Sequence, residues 1–394
     1  MRIALVLDRF EPARGGVEQW TARYASALVR DGREVHVVAR SFAATGDPEL
    51  DRAIKTHAVP GNAGKLTFAT NAEEVLRGLD VDVIHDMGFG WYADVIQPHG
   101  GSRAAAGRRN RAMRGPVLGG LRTLTASLTP REQEFRAVAR RQYGESFTDR
   151  GAKRFVAISR MVAGDLIDDY GVDGDAVKLV YNGIDTRKFT PADRDRWRAE
   201  VRGALDVGPG CVFLIAAHNL RLKGLPTLLR AFAKVTQADP TARLVVAGGR
   251  KLRGFKLQAS RLGVADAVRW VGPIDDVRPV YAAADVYVHP THYDPCSLVT
   301  LEAAACGLPV LTTRFNGVSE LIMPGTEGAV LDEPTDAATL AGHMRTLLDR
   351  GTRDRVGAAA RRLALRHPFE RNVAEMLAVY DDVLADRGRL TRAA

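Results

Sequence analysis

The chain has 394 residues, 46% hydrophobic and 26% charged, and its 56 lysines and arginines against 47 acids leave a net charge of +9. That length supplies two or three domains of about 150 residues, each able to bury a full core. No apolar run approaches the roughly 18 to 20 residues of a membrane span. Cys211, Cys296 and Cys306 lack C-x-x-C spacing and a nearby histidine pattern, which argues against both a disulfide framework and a zinc site, and the three read as free thiols.

In chain order, "MRIALVLDRF" carries an apolar run without a small-residue cleavage site, so it reads as a first β-strand of a cytoplasmic protein rather than a signal peptide. Gly15 and Gly16 follow in the next loop, where glycines let a backbone approach a phosphate. The full G-x-G-x-x-G fingerprint is missing, so no dinucleotide site is expected. Further strand-like runs are "EVHVVAR", "DVIHD", "RFVAIS" and "VKLVYN", then "CVFLIAAH", "ARLVVAGG", "AVRWVG", "DVYVHP" and "LPVLTT". Apolar strands alternating with helical stretches imply an α/β protein with two doubly wound parallel sheets. The Gly-, Pro- and charge-rich segment 182–197 separates them, giving domains 1–184 and 185–371. The tail reads as a helix with Val373, Met376, Leu377, Val379, Tyr380 and Val383 on its apolar face.

Two histidines follow strand-like runs in the first domain. His99, between Pro98 and two glycines, sits at a strand end where open α/β sheets bind ligands, whereas His85 suits a core or supporting position. Between Gly100 and Pro130 lie Arg103, Arg108, Arg109, Arg111, Arg114 and Arg122 and no acid, with Val117, Leu118, Leu121, Leu124 and Leu128 forming an apolar stripe. Such a segment suits an anionic membrane surface or acceptor phosphates, or else a solvated lid. It has no aromatic residue to stack on bases, so nucleic acid is not expected.

In the second half, Arg221 and Lys223 occupy a loop between a strand and a helix, from which two cations could reach a diphosphate. The stretch "HYDPCSLVTLEAAACGLPVL" places Ser297 as an N-cap, Gly307 and Pro309 as a stop, and Glu302 about 1.5 turns into the helix. Asp294 lies just before the helix start, where backbone N–H groups favour a phosphate. A ligand with a diphosphate between two hydroxylated rings would touch both carboxylates; alternatively each serves its own domain. Asp80-Val81-Asp82 and Asp193-Arg194-Asp195 have no catalytic context, so no metal or other cofactor is expected.

Taken in order, "GGVE", "QPHGG", "FVAISRMVAGDL", "LVYNGIDTRKF", "LKGLPTLLRAF", "LVVAGG", "WVGPIDDVRPVYAAADVYVHPTHYDPCSLVTLEAAACGLPVLTT" and "NGVSELI" resemble glycosyltransferase family 4 over most of the chain. The later pieces are also similar to that family's lipopolysaccharide core glucosyltransferases. The resemblance implies the GT-B fold, two Rossmann-like domains facing across a cleft, with helix 372–394 packing back on the first. It implies retaining, metal-independent transfer of a hexose from a nucleoside diphosphate sugar, a UDP-sugar favoured, to a glycan or glycolipid hydroxyl at the inner face of a membrane. By the same resemblance Asp294 and Glu302 take the E-x7-E positions, the second gripping ribose and the first facing the sugar with the amides of Cys296, Ser297 and Leu298. Arg221 and Lys223 fall at the diphosphate, Gly16 and Gly15 at the β-phosphate loop, His99 near the sugar's 6-position, and Gly272, Pro273 and Ile274 at the base. Two departures stand out: Asp294 is one methylene shorter than the family's glutamate, and His218 or Arg221 must replace the usual arginine of the loop. The alternatives are a GT-B epimerase or phosphorylase, and a non-catalytic scaffold or anionic-lipid-binding protein.

Overall fold

A computed structural model describes residues 1–61, 64–113 and 129–393, without the side chains of 389–393. Its contacts divide the chain into two units, Met1–Tyr181 with Glu370–Ala394, and Asn182–Phe369.

The first unit is built on a seven-stranded parallel sheet. Its strands are β1 (Arg2–Val6), β2 (Glu34–Ala39), β3 (Lys55–Ala58), β4 (Val83–Asp86), β5 (Val95–Ile96), β8 (Arg154–Ala157) and β9 (Val177–Leu179), with β6 (Phe147–Thr148) and β7 (Gly151–Ala152) forming a separate hairpin. The order β3-β2-β1-β4-β5-β8-β9 reverses direction between β1 and β4. Ile3, Leu5, Val37, Val83 and Ile84 are fully buried, as expected of strands covered on both faces. The last helix, Phe369–Ala393, belongs to this unit. Tyr380 reaches His85 Nδ1 at 2.7 Å, Asp382 takes Arg154 at 2.8 Å, and Arg387 takes Asp94 at 2.7 Å.

The second unit holds a six-stranded parallel sheet of β10 (Val212–Ala216), β11 (Arg243–Ala247), β12 (Val268–Gly272), β13 (Val286–His289), β14 (Val310–Thr313) and β15 (Gly328–Leu331), in the order β12-β11-β10-β13-β14-β15. Its direction reverses between β10 and β13, so the loops leaving these two strands flank the switch point where open α/β sheets bind ligands. The core below this edge includes Phe213, Ile215, Leu228, Phe232 and Val246.

Several elements differ from the sequence reading. β3 is polar and largely exposed, β5 is two residues long, and β15 opens on a glycine pressed against Val310, so none carries a long β-branched run. The polar connection is also shorter than 182–197, because Asp193 starts the helix Asp193–Ala204.

Candidate functional site

The switch point of the second unit is shaped by one glycine. Gly224 has φ +81°, and a Cβ there would lie 1.9 Å from the Pro290 carbonyl oxygen, so only glycine lets the loop after β10 come this close to the loop after β13. Two hydrogen bonds hold the loops together: His292 N–H and the Thr291 hydroxyl both donate to the Leu222 carbonyl, at 2.9 and 3.2 Å. Lys223 is thereby turned inward. Its Nζ lies 2.7 Å from Asp294 Oδ2 and 3.0 Å from the Tyr293 carbonyl.

Asp294 is fixed by its backbone, donating to Phe315 O at 2.8 Å and accepting from Gly317 N at 2.9 Å. Its Oδ2 also meets His289 Nε2 at 3.1 Å. Burial alone would raise the Asp294 carboxyl, but the Lys223 ammonium and the His289 bond outweigh it and hold the group well below the usual carboxylate range. For His289 burial wins over the nearby carboxylate, so its pKa falls and the ring is neutral at pH 7.

Helix Leu298–Ala305 begins where its sequence signals place it, with Ser297 Oγ accepting from Thr300 N at 3.3 Å. The Ser297 N–H donates to Asn316 Oδ1 at 3.3 Å. Asn316 ties this corner together, since Oδ1 also accepts from Val318 N at 3.2 Å and Nδ2 donates to Thr300 and Thr312 hydroxyls at 3.2 and 3.0 Å. Asn182 Nδ2 donates to the Cys296 carbonyl at 2.8 Å. Burial pushes the Cys296 thiol up to about 12, so its side chain offers no nucleophile. Glu302 is 6% exposed, and its Oε2 accepts from the Tyr281 hydroxyl at 3.1 Å. Burial, with the Glu302 charge, holds that phenol well above its usual range. Gly272 ends β12 with φ +75°, and Pro273 and Ile274 follow in the loop. Arg221 is exposed and lies over the Phe255 ring at 5.7 Å, while His218 is exposed beside it.

In the first unit, Gly15 caps helix Gly16–Arg30 in an extended conformation, beside the Glu18 carboxylate. His99 lies in the turn after β5 with its ring 4.5 Å from Trp20. Its Nε2 is buried with no hydrogen-bond partner among the described residues, and burial lowers the ring to about 3. His85 is a core residue of β4, bonded to Tyr380 and likewise held near 3, first by burial and then by His99.

The arginine segment is less free than its sequence suggests. Arg108, on helix Arg103–Ala112, pairs with Asp169 (Nη2 to Oδ2, 3.1 Å) and approaches Asp165 at 3.8 Å, acids supplied by helix Arg160–Tyr170. Arg109 also has an interaction partner, and Arg111 is partly buried. Arg114, Arg122 and the stripe from Val117 to Leu128 lie outside the described residues. Arg103 stacks on Phe135, and Lys65 Nζ stands 4.5 Å from the same ring. Both cations line a cavity of about 220 Å³ with Phe89, Gln142, Tyr143 and Tyr170. Desolvation, then the charge of Arg103, lowers the Lys65 ammonium.

As for metal-binding groups, Asp80 and Asp82 both pair with Arg2, and among the described residues no three His, Cys, Asp or Glu side chains cluster as a metal site.

Two family models match the chain, Glycosyltransferase Family 4 over residues 14–188 and Glycosyl transferases group 1 over residues 209–350. A D-inositol 3-phosphate glycosyltransferase of Acidothermus cellulolyticus is 34% identical over 95% of this chain and 87% of its own. The chain belongs to glycosyltransferase family 4. A second family 4 relative, the D-inositol 3-phosphate glycosyltransferase of Arthrobacter sp. (strain FB24), is 30% identical over 93% of this chain and 90% of its own. Solved structures give the same GT-B fold. WaaG, a glycosyltransferase involved in lipopolysaccharide biosynthesis, aligns at TM-score 0.77 with 21% identity over 97% of this chain and 99% of that one. Anabaena HepE in complex with UDP-glucose aligns at 0.68 with 20% identity over 96% and 99%.

Against this family 4 background, the structure brings Lys223 to Asp294 and sets Glu302 in the helix behind them, while Arg221 points to the surface. Four residues of the corner escaped the sequence reading: Tyr281, Tyr287, His289 and Asn316. His289 carried a usable signal, because "YVHP" puts a histidine before proline at a strand end, as "PHGG" sets His99 beside one. Tyr281 had none, since 21 residues separate it from Glu302.

Proposed function

We propose that this enzyme transfers a hexose from a nucleoside diphosphate sugar, a UDP-sugar first among them, to a hydroxyl of an acceptor that carries an anionic group. The observation that carries the donor half is the meeting of Lys223 and Asp294 across the switch point, 2.7 Å apart, at the mouth of the helix that holds Glu302. A diphosphate entering there competes with Asp294 for the Lys223 ammonium, and the charge of the departing phosphate is met by Lys223 and helix N–H groups. Arg221, exposed beside this loop, supplies a second cation from the surface. Glu302 holds the ribose, Asp294 the sugar, and Gly272 to Ile274 the base. No side chain is assigned as a nucleophile: the leaving phosphate helps deprotonate the acceptor hydroxyl, the anomeric configuration is retained, and no metal is required.

The acceptor half rests on Lys65 and Arg103, two cations lining one aromatic cavity of the first unit. An anionic group there gains charge-assisted hydrogen bonds in partly desolvated surroundings. The relatives' names, D-inositol 3-phosphate glycosyltransferases, favour a phosphorylated polyol over a glycolipid. The test is transfer from UDP-glucose in EDTA to a polyol phosphate, to the same polyol without phosphate, and to a phosphorylated glycolipid. The expected result is an α-linked product on the phosphorylated polyol, with Lys65→Ala raising its KM. Equal transfer to the polyol without phosphate would overturn the acceptor half; no sugar transfer from any nucleotide sugar would overturn the whole.

A further inference from the structure

His289 ends β13 with 0% exposure, one residue before the Pro290 carbonyl against which Gly224 packs. Its ring stacks on Tyr287 (centroids 5.8 Å apart, planes at 18°), and its carbonyl accepts from the Thr312 hydroxyl at 2.9 Å, so ring and backbone are both held. Nδ1 lies 3.1 Å from the Tyr287 hydroxyl, which is also 3.2 Å from the Ala216 carbonyl, and Nε2 lies 3.1 Å from Asp294 Oδ2. An ionised carboxylate only accepts, so the single N–H of a neutral ring belongs on Nε2. Nδ1 is then an acceptor, and the single Tyr287 O–H is shared between it and the Ala216 carbonyl. The N–H that reaches Asp294 is thus held on Nε2.

An apolar side chain would fill the same place without desolvating an imidazole and a phenol, so packing alone does not explain the pair. The carboxylate does. Both Lys223 and His289 bond to Oδ2, which leaves Oδ1 to accept from a sugar hydroxyl.

We infer that His289 is a positioning residue of the donor site, fixing the Asp294 carboxylate so that Oδ1 faces the sugar. This inference rests on the donor reading above.

The test is a double-mutant cycle of His289→Leu and Asp294→Ala, with His289→Gln as the variant that keeps a side-chain N–H. Melting-temperature shifts are read with UDP and with UDP-glucose, alongside kcat and KM for transfer. His289→Leu is expected to lower kcat about tenfold or more through a misplaced carboxylate. It should weaken the response to UDP-glucose while leaving that to UDP, have no further effect in the Asp294→Ala background, and be largely rescued in His289→Gln. Equal loss with UDP and UDP-glucose, additive effects in the cycle, or full activity of His289→Leu would each overturn the inference. If the wild type responds to UDP alone and to no nucleotide sugar, the donor reading itself fails and the inference falls with it. A wild type that responds normally beside an unaltered His289→Leu sinks the inference only.

Discussion

At the switch point of the C-terminal unit Lys223, Asp294, His289 and Tyr287 are linked in one chain, and Asn316 closes the corner behind them. In the N-terminal unit, Trp20 Nε1 on helix Gly16–Arg30 and His99 Nε2 after β5 are buried without a hydrogen-bond partner among the described residues. A buried polar group left unmatched costs about 1–3 kcal/mol, so the second arrangement is the costlier one to fold. The difference teaches that the two units prepare for ligands in opposite ways. The C-terminal corner must exchange the Lys223–Asp294 bond when an anion arrives, whereas the N-terminal unit buries ring nitrogens that hold no bond among the described residues.

The comparison breaks most easily at the Lys223–Asp294 pair. Lys223→Ala leaves a mostly buried carboxylate uncompensated, so unfolding in urea should show a loss of about 3 kcal/mol along with lost activity. The double variant Lys223→Met with Asp294→Leu should recover much of the stability and none of the activity; recovery of both would show that the pair has no part in function. Next in size, Gly224→Ala forces a β-carbon onto the Pro290 carbonyl at φ +81°, and a loss of about 2 kcal/mol is expected from the same melts.

The N-terminal side is sharpened by pH. His85 and His99 titrate near 3 in the fold, below the ordinary value of 6.5, because burial disfavours the charged ring. Between about pH 6.5 and 3 the unfolded chain binds protons that the folded one does not. Stability is thus fully present above pH 6.5 and falls on acidification, by at most about 1.4 kcal/mol per pH unit for each histidine. Urea melts at several pH values should give this slope, and His99→Gln should make it shallower; an unchanged slope would mean that the ring is not held neutral. The smallest effect belongs to Arg108→Ala, which breaks a half-exposed pair with Asp169 and should cost under about 1 kcal/mol in the same melts.

What the sequence made legible was local. The helix after Ser297 follows from its cap, its apolar run and the Gly307 stop, and the apolar face of the last helix follows from its spacing, since Met376, Val379, Tyr380 and Val383 are all buried. The two-sheet α/β architecture followed from the alternation of strands and helices. What stayed hidden was set by partners distant in the chain. Lys223 and Asp294 are 71 residues apart, so the cation meant for a phosphate could not be seen to rest on a carboxylate. Arg108 read as a free surface charge because its acids come from 61 residues further on. Strands β3 and β15 were missed because pairing with β2 and β14, rather than their own polar or glycine-led sequences, makes them strands.

The donor site is tested most directly by the melting temperature of the whole chain in EDTA against UDP, GDP, ADP and their sugar conjugates. A ligand at 100 times its dissociation constant adds about 2.7 kcal/mol of stability. The account predicts a clear upward shift with one base, UDP first, that is lost in Lys223→Met with Asp294→Leu. No shift with any nucleotide, or a shift that survives in that double variant, would contradict a donor site at the switch point of β10 and β13.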